Sequence, residues 1–263
     1  MSEDRSMRIL LTNDDGIYAP GLACLEKIAH TLSDDVWVAA PEAEQSGASH
    51  SLSLSDPMRV RQLGAKKFAV RGTPTDCVIL AVRHLIADRA PDLVLSGVNR
   101  GHNIADDVTY SGTIAGAMEG TALGIRAIAL SQAYGFDGRN KIRWDVAEHF
   151  APRLIRRVLE KGWPKDVFLN INFPDHPIAR IKGTKMTSQG KRDQNLLCVK
   201  RREDPRCEPY YWMMYERGEN SPAVGTDLWA IENGFNSVSP LHLDMTQYAV
   251  LEKLGDMLDG FGA

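Results

Sequence analysis

The sequence predicts a doubly wound α/β fold, a mostly parallel sheet with helices on both faces. Three observations carry this. Apolar runs of strand length alternate with segments of helical apolar period, the runs end in polar, glycine-bearing turns, and no internal repeat or low-complexity tract breaks the alternation. With 263 residues, 43% of them apolar, the chain is long enough to bury a full core.

The first element is the run Ile9-Leu10-Leu11, which stops at Thr12-Asn13 and delivers Asp14, Asp15 and Gly16. A buried strand cannot hide two adjacent acids, so both belong in the turn beyond its end. That turn alone has two open readings: a cation site, or an Asx-turn closed by a left-handed glycine. Leu22, Leu25, Ile28, Ala29 and Leu32 then recur at helical spacing, with Pro20 suited to a first turn. Val36–Ala40 is a second strand, and Glu42–Ser53 a polar loop containing Ser46-Gly47. Strand, helix and strand in this order make a βαβ unit.

Lys67–Val70 reads as a further strand, and Gly72–Asp76 as a turn capping a helix from Cys77 to Leu85. Leu93–Leu95 is the next strand, running into a glycine- and asparagine-rich loop from Ser96 to Asn103. Ser111-Gly112-Thr113 opens a helix whose Ala115, Gly116, Ala117, Gly120 and Ala122 allow close approach to the sheet. Ala127–Leu130 is a strand, Trp144–Val158 a helix on the opposite face, and Val167–Phe173 a last core strand with Asn170 and Asn172 on one face.

Beyond Pro174 the character changes. Lys and Arg exceed Asp and Glu between His176 and Arg206, and Tyr210–Met214 follows, which together suggest an extended hairpin arm with apolar surface suited to a subunit interface. Thr226–Ile231 and Ser237–Pro240 read as strands or loops returning to the body, and Gln247–Leu258 as an amphipathic terminal helix. The domains expected are a catalytic core at 1–175, a hairpin and oligomerisation extension at 176–236, and a C-terminal segment with its helix at 237–263.

The balance of 31 basic and 34 acidic residues argues against a dedicated polyanion binder, so no stable nucleic-acid partner is expected. Cys24, Cys77, Cys198 and Cys207 are scattered, without zinc or disulfide spacing, and read as thiols of a reducing compartment. No apolar stretch approaches bilayer length, and MSEDRS is unlike a signal peptide. A cytoplasmic protein without a membrane partner is expected.

In an open parallel sheet, ligands bind beyond the carboxyl ends of the strands, where the strand order reverses. Asp14, Asp15, Ser46 and Asn99 all fall in loops after strands, and every donor they offer is oxygen. Such a set suits Mg²⁺, Mn²⁺ or Ca²⁺ rather than zinc. Ser46-Gly47 could equally be a simple turn, and Asn99 a residue in a left-handed backbone. Ser111–Thr113 at a helix start could cradle an anion or serve as a plain N-cap. A cation beside an anion cradle implies a phosphate ester. His102 could donate a proton to a leaving oxygen, or be solvated or bonded to backbone. Arg100 and the basic arm could focus anionic substrate, or present a solvated charged face.

These residues bring out a resemblance to the SurE family, the stationary-phase survival proteins with metal-dependent 5'/3'-nucleotidase activity. It rests on Ile9–Leu22 (ILLTNDDGIYAPGL), Ala40–Leu54, Gly72–Cys77 (GTPTDC), Pro91–Asn103 (PDLVLSGVNRGHN), Tyr110–Gly120 (YSGTIAGAMEG) and Ser237–Leu241. Ser239 stands where the family commonly has threonine. The resemblance implies a Rossmann-like three-layer α/β/α core with a β-hairpin extension and an exchanged C-terminal segment. It implies one divalent ion per subunit, Mg²⁺ or Mn²⁺, held by Asp14, Asp15, Ser46 and Asn99. Asn13, Asn103, Ser111, Gly112 and Thr113 would contact substrate and phosphate, and Asp14 and Asp15 would be catalytic. The implied substrates are nucleoside monophosphates and possible short polyphosphates, and the implied assembly is a homodimer whose dimers pair into a homotetramer. Attack by water or by an aspartate both remain open, although Asp14-Asp15-Gly16 lacks the DxD spacing of aspartyl-phosphate enzymes. The competing reading is a non-catalytic nucleotide-binding regulator using the same crevice. A dinucleotide oxidoreductase is disfavoured because no GxGxxG follows the first strand.

Overall fold

Burial governs the first strand: Ile9, Leu10 and Leu11 are completely covered, and β1 spans Ile9–Thr12 in the interior of a nine-stranded sheet. The computed structural model describes residues 6–135, 141–192, 197–215 and 221–258. The remaining strands of the sheet are β2 (Val36–Pro41), β3 (Val60–Gly64), β4 (Lys67–Val70), β5 (Leu93–Arg100), β6 (Arg126–Gln132), β7 (Val167–Phe173), β8 (Thr184–Met186) and β11 (Asn236–His242). Their order is β3-β4-β2-β1-β5-β6-β7-β11-β8. Strands β4, β2, β1, β5, β6 and β7 run parallel to one another, whereas β3 and β11 enter antiparallel beside β4 and β7. Because β2 lies on one side of β1 and β5 on the other, the strand order reverses between β1 and β5. The doubly wound α/β expectation therefore holds.

Helices α1 (Pro20–His30) and α4 (Trp144–Lys161) pack on one face, and α2 (Pro74–Leu80) and α3 (Gly112–Ala122) on the other. Each fully buried Leu or Ile in these layers contributes about 1.5–3 kcal/mol relative to exposure. Close approach depends on small residues. A Cβ on Gly21 of α1 would stand 1.9 Å from the Val98 carbonyl oxygen. Along α3, a Cβ on Gly116 would meet Ser96 Oγ and Thr12 Cγ2 at 2.7 Å, and one on Gly120 would meet Val94 at 2.9 Å.

Several boundaries differ from the expectations. The loop predicted from Ser96 is instead the continuation of β5, because Asn99 and Arg100 pair with Ser131 and Gln132 after an irregularity in register. Tertiary pairing outweighs the poor strand propensity of Gly and Asn there. The helix predicted from Cys77 starts at Pro74, set by a capping box in which Thr73 and Asp76 exchange hydrogen bonds, and it widens into a π-turn over Ala81–Leu85. Thr226–Ile231 is no strand: Thr226 caps α5 (Asp227–Glu232). Strand β3 is an exposed edge that the apolar pattern does not reveal.

The hairpin arm is present as β9 (Leu197–Glu203) antiparallel to β10 (Pro209–Tyr215), forming a separate two-stranded sheet. Tyr211, Trp212 and Met213 on it are exposed, as are Tyr248, Leu251, Leu254 and Leu258 on the terminal helix α6 (Tyr248–Leu258). β11 pairs with β7 of its own chain. Among the described residues, no helix is long and apolar enough to cross a membrane.

Candidate active site

The carboxyl ends of β1 and β5 open at the strand-order reversal, and the acidic turn stands there. Asp14 is 4% exposed and accepts a hydrogen bond from the Thr113 hydroxyl. Burial pushes its carboxyl up to about 6, opposed by the Thr113 bond and reinforced by the charge of Asp15. Asp15 accepts from the Arg100 backbone N–H at 3.1 Å, which joins the acidic turn to the end of β5. The Gln45 N–H donates to the Asp14 carbonyl at 2.7 Å, bringing in the loop after β2. Three strand ends thus meet as the sequence predicts.

The start of α3 abuts this turn. A Cβ on Gly112 would lie 2.7 Å from Asp14 Cβ and 3.0 Å from its Oδ2, so glycine is what lets the helix start come this close. Ser111 caps the helix by accepting from the Ile114 N–H at 3.1 Å, so the plain N-cap reading is true of its hydroxyl. The first-turn amides of a helix have no intrahelical acceptor, which is the general basis of anion binding at helix starts.

The remaining candidates sit less uniformly. Asn13 is fully buried: its Nδ2 donates to the Gly16 carbonyl, and its Oδ1 finds no hydrogen-bond partner among the described residues. Asn99 Nδ2 donates to the Gly101 carbonyl at 2.9 Å, leaving Oδ1 as its acceptor atom. Ser46 is exposed, and its hydroxyl donates to Glu44 at 2.9 Å rather than to any part of the acidic turn. Asn103 Nδ2 donates to Ser131 Oγ at 3.0 Å, its N–H donates to Asn172, and its carbonyl accepts from both Asn170 and Asn172. The asparagines read on one face of β7 thus hold the loop after β5. The sequence does not reveal this role, because these partners lie more than sixty residues apart.

Among the described residues, no three His, Cys, Asp or Glu side chains gather as a metal centre. A cation here would draw on two carboxylates together with amide and hydroxyl oxygens, a donor set that fits Mg²⁺ or Mn²⁺. The raised Asp14 carboxyl beside Asp15 and the unpartnered Asn13 oxygen fit such a group. His102, in the loop after β5, is half-buried, with the Arg192 guanidinium 3.5 Å from its ring. Burial, then the Arg192 charge, hold it down to about 4, with Asp107 opposing. A recess of about 570 Å³ beside Asp15 is lined by Pro20, Glu44, Arg100, Lys141 and Trp144.

Comparison with known proteins follows the same lines. Residues 9–196 match the family model described as Survival protein SurE. A protein named 5'-nucleotidase SurE from Parvibaculum lavamentivorans is 59% identical over 257 residues, covering 98% of this chain and 93% of that one. Another of the same name from Methylobacterium sp. (strain 4-46) is 55% identical, covering 96% of this chain and all of that one. The crystal structure of the SurE protein from Aquifex aeolicus superposes with a TM-score of 0.80 at 40% identity, covering 95% of this chain and 99% of that one. With matches of this identity and extent, the chain belongs to the SurE family.

Proposed function

We propose that the protein is a metal-dependent nucleotidase that hydrolyses nucleoside 5'- and 3'-monophosphates to nucleoside and phosphate. The observation that carries this reading is the abutment of the acidic turn on the start of α3, through Thr113 and Asp14. A site for a hard cation and a site for a phosphate then share one crevice. The names and identity of the relatives support the same activity.

Asp14, Asp15, Asn99 and Ser46 would hold one Mg²⁺ or Mn²⁺. For Ser46 this requires its hydroxyl to leave Glu44. When bound, the ion supplies Lewis-acid polarisation of a phosphoryl oxygen. The first-turn amides of α3 would bind the other phosphoryl oxygens and stabilise charge as it develops, and Asn13 and Asn103 would contact the substrate from buried positions in which their amides bond Gly16 and Ser131. Whichever of Asp14 and Asp15 the ion does not fully engage would take the proton of an attacking water. The water oxygen bonds to phosphorus, the ester bond breaks, and the departing ribose oxygen takes a proton from solvent water, while the carboxylate later returns the proton it took to solvent. The recess beside Asp15 offers room for the nucleoside, with Trp144 as an aromatic wall.

The exposed apolar residues of the arm and of α6 support a homodimer that exchanges the C-terminal segment, residues 237–263, with dimers pairing into tetramers. The division into a core, an arm-bearing extension and a C-terminal segment rests on the same grounds, and the scattered free cysteines suit a cytoplasmic location.

The test is phosphate release from a panel of 5'- and 3'-monophosphates by metal-stripped protein, with Mn²⁺, Mg²⁺ or nothing restored, alongside Asp14→Asn. Metal-restored turnover that vanishes in the variant is expected. Nucleotide binding without release under any condition would make the protein a binding regulator instead.

A further inference from the structure

The arm's root and the phosphate-binding crevice meet at one buried carboxylate. Asp227, the first residue of α5, is completely covered, and its carboxylate accepts three backbone N–H bonds. Leu228 donates to Oδ1 at 2.7 Å and Gly190 to the same oxygen at 2.8 Å, while Ala105 donates to Oδ2 at 2.9 Å. Helix capping does not require this carboxylate, because Thr226 already accepts from the Trp229 N–H. Two of the three bonds leave α5: one reaches the strand of chain that leads into the arm, the other the turn beyond Asn103.

That turn is held in an unfavourable shape. Ala105 has φ +53°, a left-handed backbone that non-glycine residues rarely adopt. Its N–H is taken by Asp227, and its carbonyl accepts from Gln189 Nε2 at 3.0 Å. Nearby, the Arg192 N–H donates to Asp106, and its guanidinium pairs with Asp107. The arm's root, residues 188–192, therefore grips residues 105–107. The root is itself closed on α5, since Ser188 and Thr226 bridge and the Asp227 N–H donates to the Ser188 carbonyl.

The same turn carries the rest of the site. It ends at Tyr110, immediately before the Ser111–Thr113 start of α3. Ser49 donates its N–H to the Tyr110 carbonyl and its hydroxyl to the Thr109 carbonyl, so the loop bearing Ser46 hangs on it too. We propose that Asp227 is a positioning residue for phosphate-ester hydrolysis: from the arm's root it fixes the 105–110 turn, and through that turn the phosphate-binding start of α3. The inference rests on the nucleotidase reading.

The test compares wild type with Asp227→Asn, Gly190→Ala and Gln189→Ala. Asparagine keeps the shape but places an amide N–H₂ against backbone donors. A Cβ on Gly190 would lie 2.8 Å from Asp227 Oδ1, disturbing the same contact from the other side. Gln189→Ala removes only the bond to the Ala105 carbonyl. For each variant, kcat, KM for a 5'-monophosphate, the inhibition constant of inorganic phosphate and the thermal midpoint are measured well below unfolding. KM and the phosphate inhibition constant should rise about tenfold in Asp227→Asn and Gly190→Ala, the scale of a lost hydrogen bond to a charged group. Gln189→Ala, which folds with least disturbance, should shift both in the same direction by less. A purely structural role lowers the midpoint and leaves both constants of the folded enzyme unchanged, and that result in the folded variants would overturn the proposal. If wild type binds nucleotide but releases no phosphate, the nucleotidase reading falls. The positioning inference is then decided by whether the same variants weaken nucleotide affinity.

Discussion

Thr113 donates its hydroxyl hydrogen bond to Asp14 across 99 residues of sequence, tying the start of α3 to the acidic turn after β1. The bond fixes the carboxylate's orientation and opposes the rise in its pKa that burial imposes. Thr113→Val keeps the shape and removes the donor. Its kcat/KM should fall about ten- to a hundredfold, corresponding to about 1.5–3 kcal/mol for a hydrogen bond to a charged group. Thr113→Ser should recover most of the loss, as measured by phosphate release at saturating Mn²⁺.

Gly112→Ala tests the approach of α3 to the same turn. The added methyl would fall 2.7 Å from Asp14 Cβ, so either the helix start or the carboxylate has to move. Overpacking of this kind costs about 1–3 kcal/mol. The expected outcome is a lower midpoint in urea together with severe loss of activity. The same substitution at Gly124, where a Cβ meets nothing within 4 Å, should leave kcat unchanged. Its left-handed φ of +78° should still lower the midpoint.

Much of this arrangement is legible in the sequence, and the exceptions have physical causes. β1 is buried throughout and β2, β6 and β7 at all but one position each, and α1 has a clean apolar period, so burial writes them into the residue pattern. β3 is exposed at a sheet edge and carries no such pattern, and α5, six residues long, is too short to show a period. The place of Asp14 and Asp15 just beyond β1 is readable because a strand end is a local feature, whereas Asn99 lies within β5 and not in the loop expected for it, because its pairing with Ser131 is a tertiary contact. The Asp227–Ala105 bond joins residues 122 apart and leaves no local trace. Ser46 shows the converse: its place in the loop is readable, but the direction of its hydroxyl toward Glu44 depends on a loop conformation that spacing does not determine.

His102 gives a pH dependence whose sign can be worked out. Partial burial, then the Arg192 charge, hold its folded pKa near 4 against the opposing charge of Asp107, compared with about 6.5 in the unfolded chain. Between these values the unfolded state binds the proton and the folded state does not, so stability falls as pH drops from about 6.5 to about 4 and is level below that. Asp14 acts in the opposite sense in metal-free protein, since its folded carboxyl is raised to about 6 and gains protons first in the folded state. The two contributions separate in a difference profile. The midpoint of chelator-treated wild type minus that of His102→Gln should decline through this window. A flat difference would place the histidine in open solvent.

The terminal helix α6 offers Tyr248, Leu251, Leu254 and Leu258 to solvent, with exposures of 43–63%. An isolated helix of eleven residues is marginal in water and needs a partner surface for its apolar side. If that surface belongs to a second copy, replacing Leu251 and Leu254 with glutamate places two charges in the contact. The double variant should elute at monomer mass at micromolar concentration, while wild type elutes as a dimer or larger. Because β11 stays paired with β7 in its own chain, the variant's core should keep its thermal transition within a few degrees. An unchanged assembly mass would remove α6 from the interface and leave the arm residues Tyr211, Trp212 and Met213 as the contact to test next.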